Sequence, residues 1–471
     1  MGSRTAHTFR HVRAYTLCQL EACFGAWLPA HLFPKAPKKE NSRDRHYTRL
    51  RTFWCMVWQG FNPDAAGREV VRQLQALFRL EGGPRLSPED GAYCRAKGRL
   101  PLTSFPVALA ASAQSADDQA PPTSFLQGRR VRVVDGSALT LPDTPKNRRA
   151  YPPLQCADKP SFPMMRIVVL FSLLSGAITA VAQGSLGVSE LPLFHALMSH
   201  LLAGDIVLGD RGFGSYVILA LLQHSYHVDF IGRTTRGVDG RRRLRRLGRN
   251  DWLLCWNKPA KASAWLGALL WAELPAQLTV RAVKGRCYHK GFRVRQVTLV
   301  TTLLDPKLYP AQDLLRAYLR RWQLEMCLDD LKTTLKMDLL RSRSPAMLQK
   351  ELYTKLVAHN LVRLTMAQAA TEKEVPLERL SFKGTLDALR QFTHALARAR
   401  SKKKRQELWA DLLGQLAADL VPWRPDRREP RAVKRKKNKY PRLNKPRRQF
   451  RDHPKRQTRR KLARLRKLGL M

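Results

Sequence analysis

Three carboxylates in this chain stand where acids can do chemistry. Asp135 follows a run of strand formers, Val131 to Val134, and opens the triplet Asp-Gly-Ser; Asp210 follows a second short apolar run, Asp205 to Leu208, within Gly-Asp-Arg-Gly. Glu325 lies inside a long amphipathic helical pattern from Pro310 to Lys336. Carboxylates that converge from strand ends and a neighbouring helix can hold two Mg²⁺ or Mn²⁺ ions for phosphoryl transfer. Each acid also has a plainer reading. Asp-Gly is a hairpin-turn signal, an Asp before Arg-Gly is a turn or cap residue, and a lone Glu on a helix is ordinarily solvated.

The companions of Glu325 favour chemistry. At about 100° per residue, Arg321 lies about 60° from Tyr318, Glu325 about 20° and Lys332 about 40°, all in the same sense. Four polar groups thus line one face, while Leu315, Leu319, Trp322, Met326 and Leu335 supply apolar bulk elsewhere. A phenol, a guanidinium and an ammonium flanking a metal-binding carboxylate would make a platform for nucleic-acid phosphates. The competing reading is an exposed charged stripe, with Glu325 supported by Arg321 at i−4.

The elements that must position these residues can be read from periodicity. Residues 1–120 read as mainly helical, with a helix from Ala65 to Leu80 and another from Pro88 to Lys97; Ala111 to Thr123, rich in Ala, Ser, Asp and Pro, reads as a linker. The middle reads as mixed α/β: strands at Val131–Val134, Arg166–Leu174 and Ala177–Gln183, a helix at Leu191–Leu202, a strand at Asp205–Leu208, a helix at Ser215–Tyr226 and a strand at Val228–Thr234. Residues 236–296 open with Arg241, Arg242, Arg243, Arg245, Arg246 and Arg249, then alternate around Trp252, Trp256, Trp265 and Trp271, which reads as a β-rich insertion. A strand at Val297–Leu303, the Glu325 helix, and helices from Leu348 to about Leu420 complete the order, dividing the chain at about 120, 235, 296, 345 and 423.

Charge names the kind of partner. Lys+Arg 85 against Asp+Glu 37 gives +48, and the stretch from Arg424 to Met471 carries 22 Lys/Arg and 3 Asp/Glu, so +48 less +19 leaves +29 on the first 423 residues. A body this basic is best neutralised by a polyanion, of which nucleic acid is the usual one and a membrane surface the runner-up. The eight cysteines form no C-x-x-C pair, so neither a zinc module nor a disulfide framework is indicated, and free thiols in a reducing cytoplasm fit the pattern. The apolar run Ile167–Ala182 is short for a membrane span and is interrupted at Ser175-Gly176, so two buried strands explain it.

Tyr318, Arg321, Glu325 and Lys332 together reproduce the Y-(2)-R-(3)-E-(6)-K signature of bacterial DDE insertion-sequence transposases, and the chain resembles their insertion-sequence-four family. The segments V-V-D-G-S (133–137), G-D-R-G-F-G-S-Y (209–216), L-V-T-T-L-L-D-P (299–306), A-H-N-L-V-R (358–363) and the tail block 431–447 are similar to that family as well, from about Gln59 to Arg448. The resemblance implies an RNase H-like catalytic core with a β-rich insertion between the second Asp and the Glu, flanked by helical N-terminal and C-terminal regions and a basic tail. It implies metal binding and catalysis by Asp135, Asp210 and Glu325, and DNA contacts by Tyr318, Arg321, Lys332 and Arg211. The implied partners are double-stranded DNA, as inverted-repeat ends and target, and a second copy on paired ends, in a cytoplasmic, nucleoid-associated setting without a membrane. The N-terminal helices, with Arg68, Arg72, Arg95, Lys97 and Arg99, are candidates for end recognition.

One departure bears on the reaction. Some relatives place a tryptophan just upstream of the signature tyrosine to hold a flipped base while a DNA hairpin forms. Here that strand reads Val297-Thr298-Leu299-Val300, which leaves the hairpin step open. Two other readings use the same residues: a catalytically silent DNA-binding descendant, and a stand-alone nuclease of the same fold. A general RNA- or ribosome-associated basic protein would explain the tail but not the ordered acids.

Overall fold

Alternation and short apolar runs in the middle of the chain become a nine-stranded sheet, ordered β3-β2-β1-β4-β5-β9-β8-β7-β6. The computed structural model describes residues 19–28, 30–34, 46–80, 85–153, 162–234, 243–287, 295–399, 401–422, 463 and 466, and residues 322–325 by backbone alone. Arg241, Arg242 and nearly all of the basic tail therefore lie outside the described residues.

Five helices precede the sheet: α1 (Gln19–Phe24), α2 (Arg49–Phe61), α3 (Gly67–Leu80), α4 (Gly91–Arg99) and α5 (Ser104–Gln119). Helix α5 corrects the linker reading of Ala111–Thr123. Its small residues serve close packing, with Ala108, Ser112, Ala113 and Ala116 buried against the chain's later helices. Strand β1 (Val131–Thr140) is longer than its apolar run, carrying Asp135-Gly136 in mid-strand, so the hairpin-turn reading of that pair does not hold.

After the short α6 (Pro145–Ala150), β2 (Met164–Ser172) and β3 (Ile178–Ser185) form an antiparallel hairpin on β1, which is how the apolar run 167–182 is used. Helix α7 (Glu190–Leu197) leads to β4 (Ile206–Gly209), and α8 (Tyr216–Ala220) with a π turn leads to β5 (Asp229–Arg233). Strand β4 pairs parallel with both β1 and β5. The β-rich stretch supplies β6 (Arg243–Gly248), β7 (Asp251–Asn257), α9 (Ala268–Glu273) and β8 (Gln277–Cys287), which continue the same sheet through β9 (Arg295–Thr301). Arg281 on β8, wholly buried, locks this extension: its Nε and Nη2 donate to the two oxygens of Asp251 at 2.9 and 2.6 Å, and Nη1 donates to the Tyr309 carbonyl at 2.7 Å.

The helical pattern 310–336 is interrupted. Helix α10 (Ala311–Asp329) gives way to a π turn at Asp330–Thr334, so Lys332 does not occupy the place a straight helical wheel assigns it. Helix α11 (Pro345–Glu372) starts behind Ser344 with Pro345 in the first turn and is buried almost all round, as a central helix must be. Several of its polar residues are satisfied from within the fold. Asn360 accepts from the Ile178 amide at 2.8 Å and donates to the Ile178 carbonyl and the Ser112 hydroxyl at 2.8 and 2.9 Å, while Lys350 donates to the carbonyls of Lys97 and Gly98 at the end of α4. Helices α12 (Phe382–Arg398) and α13 (Lys402–Ala418) close the described fold.

The sheet has an apolar cluster on each side. One joins Val131, Val133, Ile206 and Leu208 to α2–α5 and α10–α13; the other joins Val134, Val168, Val207 and Phe230 to α7 and α8. Trp256 is buried in the second cluster and Trp252, Trp265 and Trp271 pack against it, the core role read from the sequence. Among the described residues no helix is long and apolar enough to cross a membrane.

Candidate active site

The strand register brings the first two acids together. The parallel β1–β4 pairing ends at Val133 and Leu208, and Asp135 and Asp210 each lie two residues further on. Alternation puts both on the side of the first cluster, to which Val133 and Leu208 belong. On the next strand the last pair is Gly209 with Gly232, so Arg233 follows Asp210 across the sheet. Asp135, Asp210 and Arg233 are thus successive side chains on three parallel strands, about 4.8 Å apart from strand to strand. Gly209 and Gly232 precede them because the Phe230 ring lies across both; a Cβ on Gly232 would meet it at 2.5 Å.

Backbone amides orient both carboxylates. Asp135 Oδ1 accepts from the Gly136 amide at 2.9 Å, and Asp210 Oδ1 from the Gly212 amide at 2.7 Å. Asp210 therefore is a turn residue, as the plainer reading had it, and it also stands beside Asp135.

Helix α10 crosses this side of the sheet, packed on β4, β5 and β8. Tyr318 points at the edge where the acids end: its phenol lies within electrostatic reach of Arg321, Arg233 and Asp210. Burial raises the phenol's pKa, the two guanidinium groups oppose that rise, and Asp210 adds to it, so the group is a proton donor at neutral pH. The Arg321 guanidinium carbon sits 5.4 Å from the centre of the Tyr318 ring. Tyr318 and Arg321 are only 1% and 6% exposed, which corrects the picture of an open platform.

Glu325 follows Arg321 by one turn, and its backbone lies about 10 Å beyond that of Tyr318 along the same line of the helix. Its side chain is outside the described residues, so the third acid is placed on the right helix line and no further. Lys332 is half-buried on the π turn and Arg211 is exposed beside Asp210. Arg233 is the residue that sequence reasoning missed. It follows Gly232 as Asp210 follows Gly209, a correspondence that only the parallel register of β4 and β5 shows.

Two carboxylates on adjacent strands repel each other in the absence of a cation. The Ser137 hydroxyl, on the same face of β1, is buried and has no hydrogen-bond partner among the described residues. An acceptor pair beside an unfilled hydroxyl fits a hydrated divalent ion. Among the described residues no three His, Cys, Asp or Glu side chains gather into a metal-binding group, and the Glu325 side chain lies outside them.

The model of the family described as "Transposase DDE domain" matches residues 126–361, from just before β1 to the middle of α11. The chain belongs to the DDE transposase family. It is also 28% identical, over 396 residues, to the transposase InsG of insertion sequence element IS4 from Escherichia coli strain K12, a match covering 82% of this chain and 85% of that protein. A cryo-EM structure of the piggyBac transposase synaptic complex with hairpin DNA is similar over 82% of this chain and 81% of that one, at 12% identity and a TM-score of 0.38, too loose a likeness to bear on details. The protein is accordingly an insertion-sequence transposase, an enzyme acting on DNA, and its family's chemistry uses divalent metal ions.

Proposed function

We propose that this transposase cleaves the ends of its element and transfers the freed 3′-hydroxyl strand into target DNA, at a site made by Asp135, Asp210 and Glu325. The observation that carries the proposal is the alignment of Asp135, Asp210 and Arg233 on three neighbouring parallel strands, beneath the helix that bears Tyr318, Arg321 and Glu325. The strand order, with an antiparallel β1–β3 followed by parallel β4 and β5, supports reading the core as RNase H-like. The β6–β8 stretch is then its insertion and the flanking helices its accessory regions.

In this reading the three carboxylates hold the metal ions, two Mg²⁺ or Mn²⁺, which when bound would acidify the attacking water or 3′-hydroxyl and stabilise the leaving oxygen. Arg233 and Arg321 neutralise the phosphate that enters beside Asp210, and the protonated Tyr318 phenol donates to it. Lys332 and the exposed Arg211 contact the DNA on either side. The proposal includes a cut-and-paste course and a homodimer on paired ends, both taken from the family resemblance. It includes no hairpin step, because the four tryptophans before Tyr318 are committed to the second core cluster.

The test uses a duplex carrying the inverted repeats that flank the gene. Asp210→Asn and Glu325→Ala should each lower Mg²⁺-dependent cleavage by at least about 10³-fold, the loss expected when a metal-ion site is disabled, while end binding persists. Undiminished cleavage by either variant refutes the metal assignment.

A further inference from the structure

The described surface carries a second concentration of positive charge, at the corner between α12 and α13, that the proposed site does not use. Between Asp387, which pairs with Arg390, and Glu407, the sequence has no Asp or Glu and carries Arg398, Arg400, Lys402, Lys403, Lys404 and Arg405. Of these, Lys402, Lys403, Lys404 and Arg405 fill the first turn of α13, and all four are exposed, as is Arg398 at the end of α12.

Helix stability does not account for this placement. The macrodipole disfavours cations at an N-terminus and favours them at a C-terminus. Helix α13 does the opposite at both ends, with cations in its first turn, none in its last, and Asp419 at its C-cap. A solvated amphipathic face does not account for it either. Four consecutive residues sweep about 300° around a helix axis, so the cations ring the helix end instead of following a stripe. Only one of the four has an acidic partner among the described residues: Lys404, whose Nζ lies 3.2 Å from Glu407 Oε2, both largely exposed. The helix is held elsewhere, by buried Leu412, Leu413 and Leu416 and by Trp409, which donates to Gln368 Oε1 at 3.0 Å, meets Phe24 edge to face and packs at a tilt on Trp27.

Charge put where it costs helix stability, and needed by no packing contact, is charge for a partner. We infer that the α12–α13 corner is a docking surface for the phosphate backbone of duplex DNA, engaged without regard to sequence and separate from the catalytic edge. Duplex DNA is the occupant because the enzyme acts on it and because several phosphates can face a ring of cations at once. A second copy of this chain carries the same net charge of +48 and is repelled overall. The inference rests on the transposase reading, and its test does not depend on cleavage.

The probe is a 30-base-pair duplex of random sequence, bound to the full chain over a range of salt. Replacing all four residues by Ala (Lys402→Ala, Lys403→Ala, Lys404→Ala, Arg405→Ala) should reduce the slope of log K against log[salt] by about 3 to 4, at about 0.9 per phosphate contact. The melting temperature should hold or rise, since the substitutions relieve the helix end. Lys402→Glu with Lys403→Glu, also benign for the helix, should weaken duplex binding further than the corresponding Ala pair, and replacement of the three lysines by Arg should preserve it. An unchanged slope in the Ala variant overturns the inference. So does a loss of binding to phosphatidylserine vesicles while duplex binding is untouched. The Asp210→Asn experiment tests catalysis separately, so either idea can fail while the other stands.

Discussion

A methyl group on residue 214 has nowhere to go. A Cβ there would press on the carbonyl oxygen of Arg233, and that neighbour is backbone, which cannot swing aside as a side-chain tip can. The contact ties the turn after Asp210 to the end of β5, fixing the spacing of the carboxylate and the guanidinium that share the site. Gly214→Ala should therefore destabilise the fold by about 1–3 kcal/mol, the usual cost of overpacking. It should lower cleavage further than a variant equally destabilised elsewhere, such as one in the α2–α4 core. Denaturant melts of both variants beside their cleavage rates decide it; equal loss of activity at equal stability would show that Gly214 matters to the fold alone. At this scale the sequence singled out Asp135, Asp210 and Glu325 through flanking strand formers and a spaced signature, and the strand register sets the first two side by side. Arg233 was hidden because nothing in a linear reading pairs Gly232 with Gly209; the parallel register does that. The burial of Tyr318 and Arg321 was equally invisible, since helical spacing shows that side chains share a face but not what covers it.

The π turn after α10 packs on α11 and α12 beside two ionisable groups, His359 and Asp330. His359 is stacked on Phe382 with ring centres 5.1 Å apart, and its Nδ1 is 3.5 Å from Asn360 Oδ1. Burial, helped by the nearby Arg363 charge, pushes its imidazole down to about 3. The unfolded chain therefore binds a proton near pH 6.5 that the folded chain refuses. The stability that neutral His359 contributes is complete above about pH 6.5 and is lost as pH falls toward 3, at about 1.4 kcal/mol per pH unit. Asp330, on the π turn, works in the other direction. Burial raises its carboxyl to about 6 against the pull of Arg363, so its share of stability is present below about pH 4 and lost as pH rises through 6. The wild-type curve between pH 4 and 6 should then be flatter than either group alone would make it. His359→Gln should remove the acid-side loss and leave stability falling from pH 4 to 6, measured by denaturant titration across that range. A parallel displacement of the two curves, with no change of slope, would assign the pH dependence to other groups. The elements themselves were largely legible in the sequence, with two misreadings that share a cause. Helix α5 reads as a linker from its Ala, Ser, Asp and Pro content, whereas its small residues allow close approach to α11, where Ser112 meets Asn360. The π turn interrupting the Lys332 stretch packs against both α11 and α12, and no residue pattern announces it.

Charge belongs to the whole molecule. With +48 over 471 residues, of which +19 lies beyond residue 423, electrostatic attraction to DNA is spread over the body and the tail. If the tail mainly gathers DNA, a chain ending at residue 423 keeps +29, the paired acids on β1 and β4, and the full α13 packing, so its fold and chemistry should survive. Truncation should therefore leave the melting temperature and single-turnover cleavage of bound ends nearly unchanged. It should reduce the salt slope for random duplex and slow association at low salt, because long-range steering falls with the charge that supplies it. Association kinetics for the full and shortened chains at two ionic strengths, with cleavage measured at saturating DNA, separate these effects. A shortened chain that binds normally but no longer cleaves would give the tail a part in the catalytic assembly, and DNA capture would not be its main use. Composition pointed to nucleic acid from the start, yet a net charge states neither where contact is made nor which reaction the contact serves. The edge that sets Asp135 beside Asp210 needed strand register to become visible, and the α12–α13 corner needed the direction of a helix axis.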